Sequence, residues 1–275
     1  MSNRTKGIRR MKKPIGIFDS GFGGLTVLSR VAKLLPNEDI IYFGDTAHVP
    51  YGSKSKEVVT KFSVAIAKFL SEKKVKLIVV ACNTASAFAL SRLKNKFKVP
   101  VLGVIFPGAK EALKSSKKKR IAVIGTEGTI KSSSYTKAII SLDNQAVVYA
   151  KACPLFVPLV EEGWINHRVT KDVAKEYLTP LVRKGIDTLV LGCTHYPLIK
   201  KVIKNLINGN ITLIDSAEAT AKDVLNTLKK LKLQEKAKSD GRHSFYVSDS
   251  PEKFKFYAKR FLGYNINNVK KITLD

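Results

Sequence analysis

Short apolar runs, each stopped by a turn signal, alternate with stretches of helical periodicity along most of this chain. The runs are Pro14–Phe18, Ile40–Phe43, Leu77–Ala81, Val101–Val104, Ile121–Ile124, Ala146–Ala150, Thr188–Leu191, Thr212–Ile214 and His243–Val247. Between them, Leu25, Leu28, Val31 and Leu35 share one helical face. Val58, Phe62, Ala65, Ile66 and Phe69 share a second, and Val173, Tyr177, Leu178 and Leu181 a third. Strands that are apolar almost throughout have both faces buried. Their alternation with helices therefore predicts an α/β, doubly wound chain built on parallel sheet.

The pattern also repeats. Val79–Ser86 reads VVACNTAS and Leu189–Pro197 reads LVLGCTHYP. In each, an apolar run meets a cysteine and a threonine follows closely. The distances from Asp19 to Cys82 and from Thr126 to Cys193 are each roughly 65 residues, room for two strand–helix steps. Two similar α/β halves are expected, divided near Phe106–Pro107–Gly108. Residues 14–106 make the first domain, 107–213 the second, and the chain from about 214 to 275 returns to the first. Residues 1–13 are a basic tail. Ligands of open parallel sheets lie beyond the carboxyl ends of the strands. That rule gathers Asp19–Ser20, Gly44–Asp45, Cys82–Asn83, Thr126 and Cys193–His195 around one interdomain cleft.

Composition narrows the function. With 44% hydrophobic and 26% charged residues, the 275-residue chain is ordinary globular protein. Three widely spaced cysteines form no disulfide framework and suggest free thiols in a reducing, cytoplasmic setting. The basic N-terminus lacks the apolar stretch of a signal peptide, and no run approaches a membrane span. The net charge of +27 raises the possibility of nucleic acid. Yet it is mostly lysine on expected solvent faces, in Lys54–Lys76, Leu90–Lys98 and Leu228–Lys238, with no aromatic RNA-binding strand, zinc finger or arginine-rich arm. Such a surface draws small anions.

Two opposed thiols define a chemistry. A thiolate is favoured at a helix N-terminus, and both cysteines end a strand where a helix is expected. With a Cα–H between them, one sulfur removes the proton and the other returns one to the opposite face, inverting the centre. The charge that develops needs fixed donors, which Asn83, Thr84, Thr194 and helix-start N–H groups can supply. Asp19 and His195 lie at the same mouths, placed to adjust the thiols or hold an ammonium.

On these residues the chain resembles glutamate racemases of the cofactor-independent aspartate/glutamate racemase superfamily. The matching stretches are IGIFDSGFGGLTV (Ile15–Val27), YFGDTAHVPYG (Tyr42–Gly52), ACNTAS (Ala81–Ser86), PLFVPLVEEG (Pro154–Gly163) and GCTHYP (Gly192–Pro197). The resemblance implies two α/β domains with the site between them. It implies Cys82 and Cys193 as the acid/base pair, with Asp19 and His195 assisting. Asp19, Ser20, Tyr51, Gly52, Asn83, Thr84, Thr194 and His195 would contact substrate, supported by Thr126 and Glu161. It further implies glutamate as substrate, D-glutamate for peptidoglycan as product, and no cofactor. His48 stands where members vary, and the basic tail carries no recognisable regulatory motif.

Competing readings are specific. Zinc on Cys82, Cys193 and His195 lacks ligand spacing. DSGFGG is neither GxGxxG nor a Walker sequence, so a tight strand-to-helix turn is expected there. Cys153 reads as a core thiol. Aspartate or another acidic amino acid fits the same fold, since one methylene changes selectivity by only about 1–3 kcal/mol. A basic nucleic-acid-binding protein is the rival of a different class. A homodimer is compatible with the sequence.

Overall fold

The computed structural model describes residues 13–207, 209–236 and 239–274. The expected tail, Lys13 apart, and Lys238 lie outside them. Ten strands and eleven α-helices alternate among the described residues. The first stretch runs β1 (Ile15–Asp19), α1 (Leu25–Leu34), β2 (Ile40–Gly44), α2 (Lys56–Glu72), β3 (Leu77–Val80), α3 (Asn83–Lys96), β4 (Val101–Gly103) and α4 (Ile105–Ser115). The second runs β5 (Arg120–Gly125), α5 (Glu127–Lys131), α6 (Ser134–Leu142), β6 (Val147–Ala152), α7 (Phe156–Glu161), α8 (Arg168–Arg183), β7 (Thr188–Gly192), α9 (Lys200–Leu206) and β8 (Thr212–Asp215). The chain ends with α10 (Ser216–Lys230), β9 (His243–Val247), α11 (Pro251–Leu262) and β10 (Val269–Lys271).

Two wholly parallel sheets result. One has the order β10-β9-β2-β1-β3-β4 and the other β6-β5-β7-β8. Each contains the same local order: the second strand of the unit on one side of the first, the third and fourth on the other. The reversal in each sheet falls between the first and third strands, β1/β3 and β5/β7, which is where a crevice opens at the carboxyl ends. Cys82 follows β3 and Cys193 follows β7, equivalent strands of the two units.

Side-chain alternation explains why both faces are covered. Ile15, Ile17, Leu77 and Val79 pack on one side of the first sheet, against Leu25, Leu28, Val31, Val224 and Leu228. Phe18, Ile78 and Val80 pack on the other, against Ile66, Leu70 and Leu93. In the second sheet Ala122, Ile124, Leu189 and Leu191 join the first of these clusters. Ile121, Val123 and Val190 face Ala109, Ala112, Tyr135 and Ile139. One apolar layer is thus continuous from sheet to sheet.

The details depart from expectation in three places. The buried stripe of α2 is Val59, Ser63, Ile66, Ala67, Phe69 and Leu70, while Val58 is exposed, so the expected face is rotated. Strand β10 was not expected: its three residues, VKK, are half-buried to exposed at a sheet edge and carry no apolar signature. Lys76 is no solvated lysine but a buried one, ion-paired with buried Glu38. Phe106, Pro107 and Gly108 lie in α4, where a proline in the first turn removes no helical hydrogen bond. No helix among the described residues is long and apolar enough to cross a membrane.

Candidate active site

The carboxyl ends of β1, β3, β5 and β7 converge on one cavity. It is lined by Ser20, Val49, Pro50, Tyr51, Gly52, Cys82, Asn83, Thr84, Thr126, Val157, Cys193, Thr194 and His195. Its free volume is about 20 Å³, room for little more than one water. Most of the residues expected from the sequence are therefore wall residues. Asp19 and Glu161 stand behind the wall: Asp19 accepts from the Thr194 hydroxyl at 3.4 Å, and Glu161 meets His195 Nε2 at 3.1 Å.

The first thiol sits at the N-cap of α3, where Cys82 Sγ accepts from the Ala85 N–H at 3.4 Å. Burial and then the charge of Asp19 push its pKa up to about 12, outweighing that N–H and the Ser20 hydroxyl. Burial also holds Asp19 above the usual carboxylate range, despite His195, the N–H groups of Gly24 and Gly21, and Thr194. Asp19 does not cap α1. Its carboxylate binds the Gly21 N–H at 3.0 Å, and the N-cap of α1 is Gly24.

The second thiol follows β7 in a turn and, contrary to expectation, does not sit at an α-helix N-terminus: a short 3-10 helix begins only at Tyr196 and α9 at Lys200. Cys193 Sγ lies 3.9 Å from His195 Nδ1. Burial works against charge on that ring, but Cys193 and Glu161 outweigh it, and His195 is pushed up to about 10. At neutral pH both ring nitrogens then carry protons, one directed at sulfur and one at carboxylate. The glycine turn after β1 makes this packing possible. A Cβ on Gly23 would lie 2.3 Å from Thr194 Oγ1 and 2.6 Å from His195 Nδ1. DSGFGG is thus a close-packing turn.

Polar walls complete the cavity. The hydroxyls of Thr84, Thr126 and Thr129 form a triangle with sides of 2.8, 3.2 and 3.0 Å, joining α3 of one sheet to α5 of the other. Gly52 lies against Thr126. Tyr51 is buried, and its hydroxyl donates to Asp45, which also accepts from Ser248 and meets His48 Nδ1 at 2.9 Å. His48 itself lies outside the wall, stacked on Phe62. Asn83 is 2% exposed. Its Oδ1 accepts from the Tyr135 hydroxyl at 2.8 Å, while its Nδ2 has no partner among the described residues. An unpaired buried donor costs about 1–3 kcal/mol, so this one marks a place for a ligand's acceptor.

Thr129, Tyr135, Val49, Pro50 and Val157 were not expected here. The spacing of Thr126 and Thr129 on one helical face was the signal available for the first; the others come from tertiary contact. Cys153 is fully buried in the apolar layer, as expected of a core thiol. No cluster of His, Cys, Asp or Glu suited to a metal occurs among the described residues.

Comparison with known proteins agrees with this arrangement. Residues 15–224 match the family model for Asp/Glu/Hydantoin racemase. A glutamate racemase of Geobacter metallireducens is 52% identical over 263 residues, covering 96% of this chain and 97% of the relative. The crystal structure of a glutamate racemase from Bacillus anthracis superposes with a TM-score of 0.92 at 41% identity, covering 95% of this chain and 98% of that one. That of a glutamate racemase from Francisella tularensis, in complex with D-glutamate, gives 0.90 at 39% identity, covering 96% and 98%. With its doubled strand order, its two cavity-facing cysteines and this likeness over nearly its full length, the chain belongs to the Asp/Glu/Hydantoin racemase family, among the glutamate racemases.

Proposed function

We propose that the chain interconverts L-glutamate and D-glutamate by moving protons between Cα and the thiols of Cys82 and Cys193. One observation carries the reading: two cysteines from equivalent strands of two sheets line a single small cavity. One sulfur, as thiolate, takes the Cα proton. The other, as thiol, delivers a proton to the opposite face, and the first is left protonated. Protonated Cys82 suits the donor's part in one direction. On the other side His195 can pass a proton to or from Cys193, backed by Glu161. The N–H groups at the start of α3 and the free Nδ2 of Asn83 would receive the substrate carboxylate as it gains charge. Ser20, Tyr51, Gly52, Thr84, Thr126 and Thr194 would shape the rest of the pocket, with Asp19 directed at the ammonium or at Cys82.

The domain division drawn from the sequence belongs to this reading: two lobes, each delivering one thiol, with the cleft between them. So do the reducing cytoplasm, supported by three free thiols, and the supply of D-glutamate to peptidoglycan. For the assembly we propose a homodimer that would cover exposed side chains such as Trp164, Phe256 and Tyr264. Sedimentation as a monomer at working concentrations removes that part alone.

The test is a coupled assay on both enantiomers of glutamate and of aspartate. Glutamate should be turned over in both directions, with deuterium from D₂O at Cα of the product. Cys82→Ser and Cys193→Ser should each abolish turnover, and Cys153→Ser should keep most of it. A Cys82→Ser enzyme that racemises at the wild-type rate would refute the proposal. Preference for aspartate would move the substrate and leave the two-thiol scheme intact.

A further inference from the structure

Glu161 ends α7, a helix of six residues, and its carboxylate is only useful to His195 if that end is held still. The hold comes from the far end of the sequence. Arg260 on α11 donates from Nη1 to the carbonyls of Glu161 at 2.7 Å and Val160 at 3.0 Å. A cation at a helix C-terminus satisfies carbonyls that lack helical partners and matches the helix dipole. Its seat is prepared on both sides. Gly163 turns the chain away with φ of +82°, and a Cβ there would lie 2.7 Å from Arg260 Nη2. Phe256 and Tyr257 rings flank the guanidinium at 5.6 Å each. The next residue, Phe261, sets its ring against the His195 ring at 5.6 Å, edge to face at 89°. Neighbouring residues of α11 therefore touch both members of the pair, Glu161 through its backbone and His195 through its ring face. The grip also crosses between the lobes: α11 packs with α1 and β10 of the first sheet, whereas α7 and His195 belong with the second.

We propose that Arg260 is a positioning residue for the glutamate racemase reaction, holding the end of α7 so that Glu161 stays on His195 and His195 on Cys193. It touches no reacting atom and acts through the pair. The inference rests on the racemase reading above, but its central measurement needs no substrate. The charged groups around the pair are Cys193 in the same loop, Asp19 from β1 and Glu161 from α7. Those around the clamp are Glu161, Glu162 and Tyr257.

The experiment is histidine-labelled NMR on the full chain, with His195 assigned by its loss in His195→Asn, together with steady-state kinetics. In Arg260→Met, Glu161 loses its fixed place, and His195 should titrate at least about 1 pH unit lower than in the wild type. In the same variant kcat in both directions should fall on the order of 10-fold to 100-fold, while KM stays within about threefold, as for a misplaced catalytic group. Arg260→Lys should recover part of both effects, and guanidinium ion added to Arg260→Met should recover part as well. Should Arg260→Met not fold, Arg260→Gln is read by the same titration with the same expectation. A folded variant lacking the guanidinium, with His195 titrating as in the wild type, overturns the proposal. A wild-type protein inert toward both glutamates would instead count against the racemase reading, and the titration would still decide the clamp.

Discussion

The His195 ring is buried yet meets Cys193 and Glu161 on its two nitrogens. Its pKa in the fold, about 10, stands above the ordinary 6.5. A raised value means that the folded state holds the proton more tightly than the unfolded chain. The stability this contributes is complete below about pH 6.5, shrinks as pH rises, and is gone once pH passes about 10. Denaturant unfolding of the wild type and of His195→Asn across that span should show their difference in stability narrowing steadily with rising pH. A gap that stays constant would contradict the charged ring. Asn83 illustrates the same economy of partners at a neutral residue. Tyr135 fixes its oxygen and leaves its buried amide nitrogen without a partner among the described residues.

Among the elements, the least obvious joint lies at the opposite end of the first sheet from the cavity. Lys76, just before β3, pairs with Glu38 in the turn before β2 and donates to the carbonyl of Leu233 at 2.8 Å. Glu38 in turn accepts from the Glu235 N–H at 2.8 Å. Three connections are thereby tied beneath one sheet. Lys76→Met would leave a carboxylate buried without its cation, and should cost about 3–5 kcal/mol in unfolding. Adding Glu38→Gln removes the stranded charge and should restore much of the loss, since the amide oxygen still takes the Glu235 N–H. A double variant no more stable than the single one would show that the pair matters for reasons other than charge. The sequence hides this joint because a lysine in a lysine-rich stretch looks solvated, and only tertiary contact distinguishes Lys76 from Lys73 or Lys74. The strands β1 to β9 were readable as short apolar runs between turn signals, most clearly β1, β3, β5 and β7, which are buried almost throughout, whereas β6, β8 and β9 are partly exposed. β10 was not, because an edge strand of VKK draws its order from its neighbour β9. The stripe of α2 was misread because Ser63 lies in it and Val58 outside, which periodicity in apolar residues cannot register.

For the molecule as a whole, the repeated strand order was legible as two apolar runs ending in cysteine. That pairing carried the site as far as Cys82, Cys193 and their sequence neighbours. Arg260, Phe261 and Tyr135 stayed hidden because they reach the site through other helices, without a local motif. The walls were readable but the tightness was not. About 20 Å³ of free space is far less than an amino acid of ten heavy atoms needs, so opening of the cavity walls is expected when substrate enters. The threonine triangle between α3 and α5 is one of the contacts that tie the two sheets together beside the cavity. Each sulfur, moreover, belongs to a residue only 6% exposed. Small electrophiles such as iodoacetamide will then reach Cys82 and Cys193 only during moments of parting, so their alkylation rate becomes a clock for how often the molecule breathes. Saturating glutamate should slow that clock at both sulfurs, read by mass spectrometry of the labelled peptides. Rapid labelling at the rate of a free thiol, indifferent to ligand, would mean that the chamber is not shut in solution.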